Sequence, residues 1–182
     1  MTEIDILPAA RAAVSAAAAQ VMPDLTVLDG IKVDGAVNVP DDRIIAHINH
    51  SIRLGFEQVR LRPVQPDRIL IVGSGPSLAD TEAELNDLYF AGAIVFSLNG
   101  AYHWCLEHNL RPQTQIVMDA RPSNARFVVP AVPKCNYVLA SQCAPEIWDA
   151  VAGRPDVWIF HAVVRGEEDA SPMLDAFYGG QW

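Results

Sequence analysis

The sequence predicts an α/β domain, a Rossmann-like three-layer unit with a mainly parallel sheet, preceded by an N-terminal helical extension. Three observations predict it. Short apolar runs recur at 68–72, 93–97, 114–118, 136–140 and 156–160. Helical or mixed stretches separate them, at a spacing of roughly 20–25 residues, as short βα repeats require. The runs are continuous rather than alternating, which is the pattern of parallel strands buried on both faces.

The elements follow in order. Residues 1–22 read as a helix stopped before Pro23, and 23–40, with Gly30, Asp34, Gly35 and Pro40, read as a loop. A second helix is expected over 41–59, capped by Asp41 or Asp42 after Pro40. Ile44, Ile48 and Ile52 recur every four residues, with Ile45 and Phe56 beside them, so one stripe is apolar. Residues 1–62 therefore read as a helical extension, an accessory layer to the Rossmann-like domain at 63–182. Within that domain helices are expected at 77–90, 99–108 and 145–151, with a tight Pro-containing segment at 121–134.

Composition narrows the function. Half of the 182 residues are apolar, which excludes a disordered tail protein. The formal net charge of −9 repels phosphate backbones, so nucleic acid is not an expected partner. Cys105, Cys135 and Cys143 are odd in number and lack Cys-x-x-Cys spacing, the usage of buried thiols in a reducing compartment. The start, Met-Thr-Glu-Ile-Asp, has no basic n-region. The Ala-rich stretch from Ala9 to Ala19 is too short for a membrane span and carries Arg11. A cytoplasmic location away from the membrane is expected, and the oligomeric state is left open.

Ligands of open parallel sheets bind outside the carboxyl ends of the strands. The residues following the five runs are Gly73-Ser74-Gly75-Pro76-Ser77, then Asn99-Gly100, then Asp119 and Arg121, then Ser141-Gln142, then His161. The first turn is the most informative. Its glycines permit positive φ and close backbone approach. Pro76 suits a first helical turn, and Ser77 can cap it or bind by its hydroxyl. A helix beginning there aims N–H groups and its positive dipole end at an anion. The turn departs from known fingerprints. Leu78 stands where G-x-G-x-x-G has its third glycine, Asn99 lies near the place of a ribose-binding acid, and no Lys follows as in a P-loop. The bland alternative is a tight strand-to-helix turn without a ligand.

The remaining candidates each carry two readings. Asp119 can ligate Mg²⁺ alongside substrate phosphates or cap the next segment. Arg121 can clamp a phosphate or pair with Asp119. His161 can act as a general acid or base or be a hydrogen-bonded structural residue. Ser141 has no neighbouring base in sequence, so a nucleophilic serine is not supported and ligand contact is its candidate role. His103 and Cys105 point to different sides of one helix, and His47 and His50 lack a third ligand, so neither group reads as a metal site.

The segments ILIVGSGPSLAD, IVFSLNGAYHWCLEHNLRPQTQIVMDARP and YVLASQCAPEIWDAV resemble the 6-hydroxymethylpterin diphosphokinase MptE-like family. That family includes the motility accessory factors, and its nucleotide-binding fold is similar to that of a group of bacterial sialyltransferases. The resemblance covers roughly residues 40–182 and rests on the GSGPSL turn, the Asn-Gly after the second strand and the Asp after the third. It implies nucleotide-phosphate contact at Gly73, Ser74, Gly75 and Ser77, and ligand contact from Asn99 and Asp119. The leading expectation is Mg²⁺-assisted transfer of a diphosphoryl group from ATP to a hydroxymethylpterin-like small-molecule acceptor, with Asp119 and His161 in catalytic roles. Glycosyl transfer from a nucleotide sugar, with His161 as base, and a non-catalytic nucleotide-binding module are the alternatives. The resemblance also implies further sheet and a Gly-rich turn beyond Trp182, so the chain is expected to be truncated at its C-terminus.

Overall fold

The computed structural model of the protein describes residues 39–60, 63, 66–162 and 171–179. The expected helix over 1–22 and most of the loop after it lie outside the described residues. The elements are α1 (Asp41–Ile52), β1 (Glu57–Gln58), β2 (Ile69–Val72), a 3-10 helix (Pro76–Thr81) running into α2 (Glu82–Phe90), β3 (Ile94–Leu98), α3 (Ala101–Glu107), β4 (Thr114–Val117), a second 3-10 helix (Pro122–Val128), β5 (Asn136–Ala140), α4 (Pro145–Asp149), β6 (Val157–Phe160) and α5 (Ser171–Tyr178). The strands form one six-stranded sheet in the order β1-β6-β5-β4-β3-β2, and every pairing is parallel. The protein is thus an α/β domain with helices flanking a parallel sheet, consistent with a Rossmann-like three-layer fold. The five apolar runs are five of the six strands.

The expected helix over 41–59 ends earlier. Ile52 is its last residue, Gly55 takes φ +73, and the chain re-enters as the edge strand β1. Both elements belong to the α/β unit and not to a separate extension, since residues 37–182 form one compact body. The stripe explains why. Ile48 and Ile52 are buried, Ile44 and Ile45 pack beside them, and Phe56 stacks on Trp148 of α4 with ring centroids 5.2 Å apart. Burying each isoleucine contributes about 1.5–3 kcal/mol, more than an independent single helix could recover from solvent. The boundary at 62/63 is therefore displaced towards the N-terminus by side-chain packing.

The two faces of the sheet are covered unequally. One carries Val72, Val95, Val117, Tyr137, Leu139, Val157 and Ile159, all buried. On the other, Phe96, Ile116, Val138 and Trp158 are half-buried, and Ile69 and Ile71 on the edge strand β2 are 54% and 66% exposed. Topology supplies the reason. From β2 to β6 each strand lies next to its predecessor and the order advances in one direction. Right-handed crossovers that step the same way weight one face of the sheet, and β2 at the edge has a strand neighbour on one side only. The expectation of burial on both faces is met best at β4 to β6 and least at β2, whose Ile69 and Ile71 are exposed.

The core also holds a hydrogen-bonded pair of tyrosines. The Tyr102 and Tyr137 hydroxyls lie 2.9 Å apart; Tyr102 donates to the Pro130 carbonyl at 2.7 Å, and the Val132 N–H donates to the Tyr137 oxygen at 2.9 Å. This network pins the 130–132 loop against α3 and β5. The three cysteines are free and buried.

Candidate functional site

The carboxyl edge of the sheet is divided into a closed half and an open half. The closed half lies over β5. Ser51 of α1 donates its hydroxyl to the Ser141 carbonyl at 2.8 Å, and the His47 ring Nδ1 lies 3.2 Å from the Gln142 carbonyl. Gln142 in turn donates its side-chain amide to the Met118 carbonyl at 2.7 Å. Ser141 is 2% exposed. The sequence places it at a strand end with the other candidates, but the structure seals it under α1. His161 follows β6 and lies apart from the first three turns; its ring sits 5.0 Å from that of Tyr178 of α5. Burial lowers its pKa, which favours the neutral imidazole.

The open half is built by the ends of β2, β3 and β4. Gly73, Ser74, Gly75, Pro76 and Ser77 are all exposed. Neither glycine has a positive φ, contrary to the expected reason for glycine here. Gly75 has φ −77 and ψ 159 and occupies the N-cap position, Pro76 follows at the helix start as expected, and no side chain caps the helix, so Ser77 does not serve as its cap. What the glycines provide is room. A Cβ at Gly73 would meet nothing within 4 Å, and one at Gly75 only the Ser77 hydroxyl at 3.9 Å. Among the described residues, Ser74 and Gly75 donate no backbone hydrogen bond.

Gly100 joins the second turn to the first. A Cβ there would sit 3.3 Å from the Phe127 ring and 3.8 Å from the Ser74 Cβ. Asn99 adopts φ 45, a left-handed conformation that asparagine tolerates. Its side-chain oxygen accepts from the Met118 N–H at 3.3 Å, so part of its amide is used to tie β3 to β4. Its carbonyl accepts from the side chain of Gln115 at 2.9 Å. Gln115 is fully buried, donates also to the Phe127 carbonyl at 3.0 Å, and accepts from the Ser97 hydroxyl at 2.6 Å. One amide therefore fixes both the Asn99 turn and the 3-10 helix behind it. Sequence reasoning passed over Gln115; its signal was a polar residue inside an apolar run.

Asp119 and Arg121 form a closed ion pair. The Arg121 Nε lies 3.0 and 2.9 Å from the two carboxylate oxygens, Nη2 adds a further contact, and the Arg121 backbone N–H donates at 2.9 Å. Burial pushes the Asp119 carboxyl up, but the Arg121 hydrogen bonds and the neighbouring Asn124 amide outweigh it and hold the pKa below the usual value. Asn124, 1% exposed, has its Nδ2 buried without a partner in hydrogen-bond geometry. It too was invisible in the sequence. This donor set does not fit a resident Mg²⁺. Asp119 is a single carboxylate with both oxygens engaged by Arg121, and no group of three His, Cys, Asp or Glu side chains converges among the described residues. Mg²⁺ needs near-octahedral oxygen ligation.

A cavity of about 400 Å³ lies at the opposite, amino-terminal edge, lined by Tyr89, Leu106, Asn109, Leu110, Arg111 and Val132. None of the sequence-predicted residues reaches it. No helix among the described residues is long and apolar enough to cross a membrane. The chain matches no protein-family model, no curated protein and no solved structure.

Proposed function

We propose that the protein binds the phosphate groups of a nucleotide, or of a comparable phosphorylated small molecule, in the open half of its carboxyl edge. One observation carries the reading. The Gly73–Ser77 turn offers unengaged Ser74 and Gly75 N–H groups beside glycines with open space in front of them. Glycines that the backbone conformation does not require, facing space rather than packing, are the arrangement for close approach of a ligand to the main chain. Backbone N–H groups at a strand-to-helix turn recognise anions. Arg121, two strands away, supplies a guanidinium of the right geometry for phosphate oxygens.

Binding is favoured over transfer. His161 stands beyond the closed half, so the acid–base role is separated from the phosphate turn by the Ser51–Ser141 contact. ATP as donor and a hydroxymethyl acceptor are suggested by the family resemblance, not by this geometry. Thermal-shift measurements with ATP, GTP, CMP, CTP, nucleotide sugars and pyrophosphate test the proposal, because a ligand that binds only the folded state raises stability. A rise in Tm abolished by Gly75→Val supports it. No shift with any of these ligands refutes it.

A further inference from the structure

The cavity of about 400 Å³ at the amino-terminal edge falls in the range of about 300–1,000 Å³ that small-molecule sites occupy. Three elements wall it, and each is fixed by hydrogen bonds of its own. α2 contributes Tyr89 and closes just beyond it: the Ala93 N–H donates to the Leu88 carbonyl at 3.1 Å and the Gly92 N–H to the Tyr89 carbonyl at 2.9 Å, with Gly92 at φ 92. α3 contributes Leu106 and ends in the same way. The Leu110 N–H donates to the Cys105 carbonyl at 2.8 Å, the Asn109 N–H donates to the Leu106 carbonyl at 3.3 Å, and Asn109 takes φ 58. This left-handed turn brings Asn109, Leu110 and Arg111 to the cavity one after another. Val132 forms the third wall, and its N–H is held by the Tyr137 hydroxyl oxygen at 2.9 Å.

The lining divides by chemistry. Leu110 and Val132 are buried and Leu106 is half-buried, and the Tyr89 ring extends this apolar part. Arg111 is the one ionic residue of the lining, and its backbone is clamped between Leu110 and Pro112, both buried. Its guanidinium makes no ion pair with a described residue, in a chain whose formal net charge is −9. Helix carboxyl ends favour cations, but the carbonyls of Leu88, Tyr89, Cys105 and Leu106 are taken by the turn N–H groups, and the full charge of Arg111 exceeds the partial charge that is left. We infer that this cavity binds a small organic carboxylate with an apolar body. The carboxylate meets the Arg111 fork, with the Asn109 amide and the Tyr89 hydroxyl as further donors, and an aromatic or branched aliphatic body lies against Leu106, Leu110 and Val132. A single guanidinium without a second cation in the lining matches a carboxylate monoanion and not a phosphate dianion. The site is thus separate, in place and in chemistry, from the open half of the carboxyl edge, and it stands whether or not phosphate binds there.

Hydrocinnamate is the probe, added to the full chain while the backbone amide NMR resonances of Leu106, Asn109, Leu110, Arg111 and Val132 are followed. These amides should shift and saturate. Hydrocinnamyl alcohol, which keeps the body, and acetate, which keeps the charge, should each bind several-fold more weakly. Arg111→Gln changes an exposed side chain, so the fold should be retained. It should weaken hydrocinnamate several-fold and leave the alcohol unaffected, and Arg111→Lys, which keeps the charge but not the fork, should fall between. The absence of a saturable shift at these amides with hydrocinnamate, benzoate or isovalerate overturns the inference. So does equal affinity for the acid and the alcohol, an Arg111→Gln variant that binds hydrocinnamate as wild type does, or inorganic phosphate that shifts the same amides more strongly. Shifts confined to residues 73–77 would assign the carboxylate to the other edge and overturn it as well.

Discussion

The Ser51 hydroxyl meets the Ser141 carbonyl at 2.8 Å, across ninety positions of sequence. Through this contact α1 closes the end of β5, and what is left open on the carboxyl edge is the ground in front of β2, β3 and β4. Ser51→Ala should cost about 1 kcal/mol. Neither it nor Ser141→Ala should change the affinity for any nucleotide that shifts the wild-type Tm. Calorimetric titration of the two variants checks this, and a large loss of affinity would place Ser141 back in the site.

The glycines of the open half should separate cleanly. Gly75 has an ordinary φ and free space, so Gly75→Ala should leave stability within about 1 kcal/mol, or raise it slightly by restricting the unfolded chain. Gly75→Val should remove phosphate binding with little change in circular dichroism. Gly100→Ala behaves differently, because the new methyl must displace the Phe127 ring from 3.3 Å. A loss of about 1 kcal/mol or more is expected, as for other overpacked sites. Urea unfolding of the three variants gives the comparison.

Gln115→Leu removes three hydrogen bonds from a fully buried amide and leaves the Ser97 hydroxyl and two carbonyls without it. The expected destabilisation is roughly 2–4 kcal/mol. Amide exchange should rise first at residues 99–101 and 127–129, the two segments the amide ties down. Uniform acceleration across the whole sheet would contradict this assignment.

Burial holds the His161 pKa below its ordinary 6.5. The unfolded state therefore binds a proton at a higher pH than the folded state does. Its contribution to stability is fully present above pH 6.5 and is lost as pH falls through the lower folded-state value. Tm measured from pH 7.5 to 5 should decline on the acid side, and His161→Phe should flatten part of that decline. An unchanged profile would show that other groups account for it.

The thiols should be inert. Burial pushes Cys105 and Cys143 up to about 12 and Cys135 up to about 11. The thiolate is the reactive form, so native protein should resist a disulfide-exchange reagent at pH 8 and react at three sites once denatured. Rapid labelling of the native state would mean that one of these elements opens locally.

The parts of this structure legible in the sequence are those encoded by contiguous residues. The runs ending at Val72 and Ala140 announce their strands because several apolar residues sit side by side, and the Gly or polar residue after each marks the edge. Glu57–Gln58 carry no such signal; they become a strand because Trp158 and Ile159 lie beside them. The same holds for the site. Gly73–Ser77, Asn99 and Asp119 can be read from position alone. Ser141 looks identical to them in sequence, and only Ser51 decides that it is sealed. Gln115 and Asn124 acquire meaning from partners brought near by the sheet, so their polarity reads as a blemish until the chain is folded.

The strand order also fixes how the molecule assembles. From β2 to β6 every strand pairs with its predecessor in sequence, so each new ladder closes a short loop. Such local closures are entropically cheap and quick. β1 is the exception, because Glu57 pairs with Trp158, near the other end of the described chain. It has no neighbour to dock on until β6 exists. The segment that emerges earlier in synthesis must wait for the later one, so β1 is the last strand that the sheet can take in.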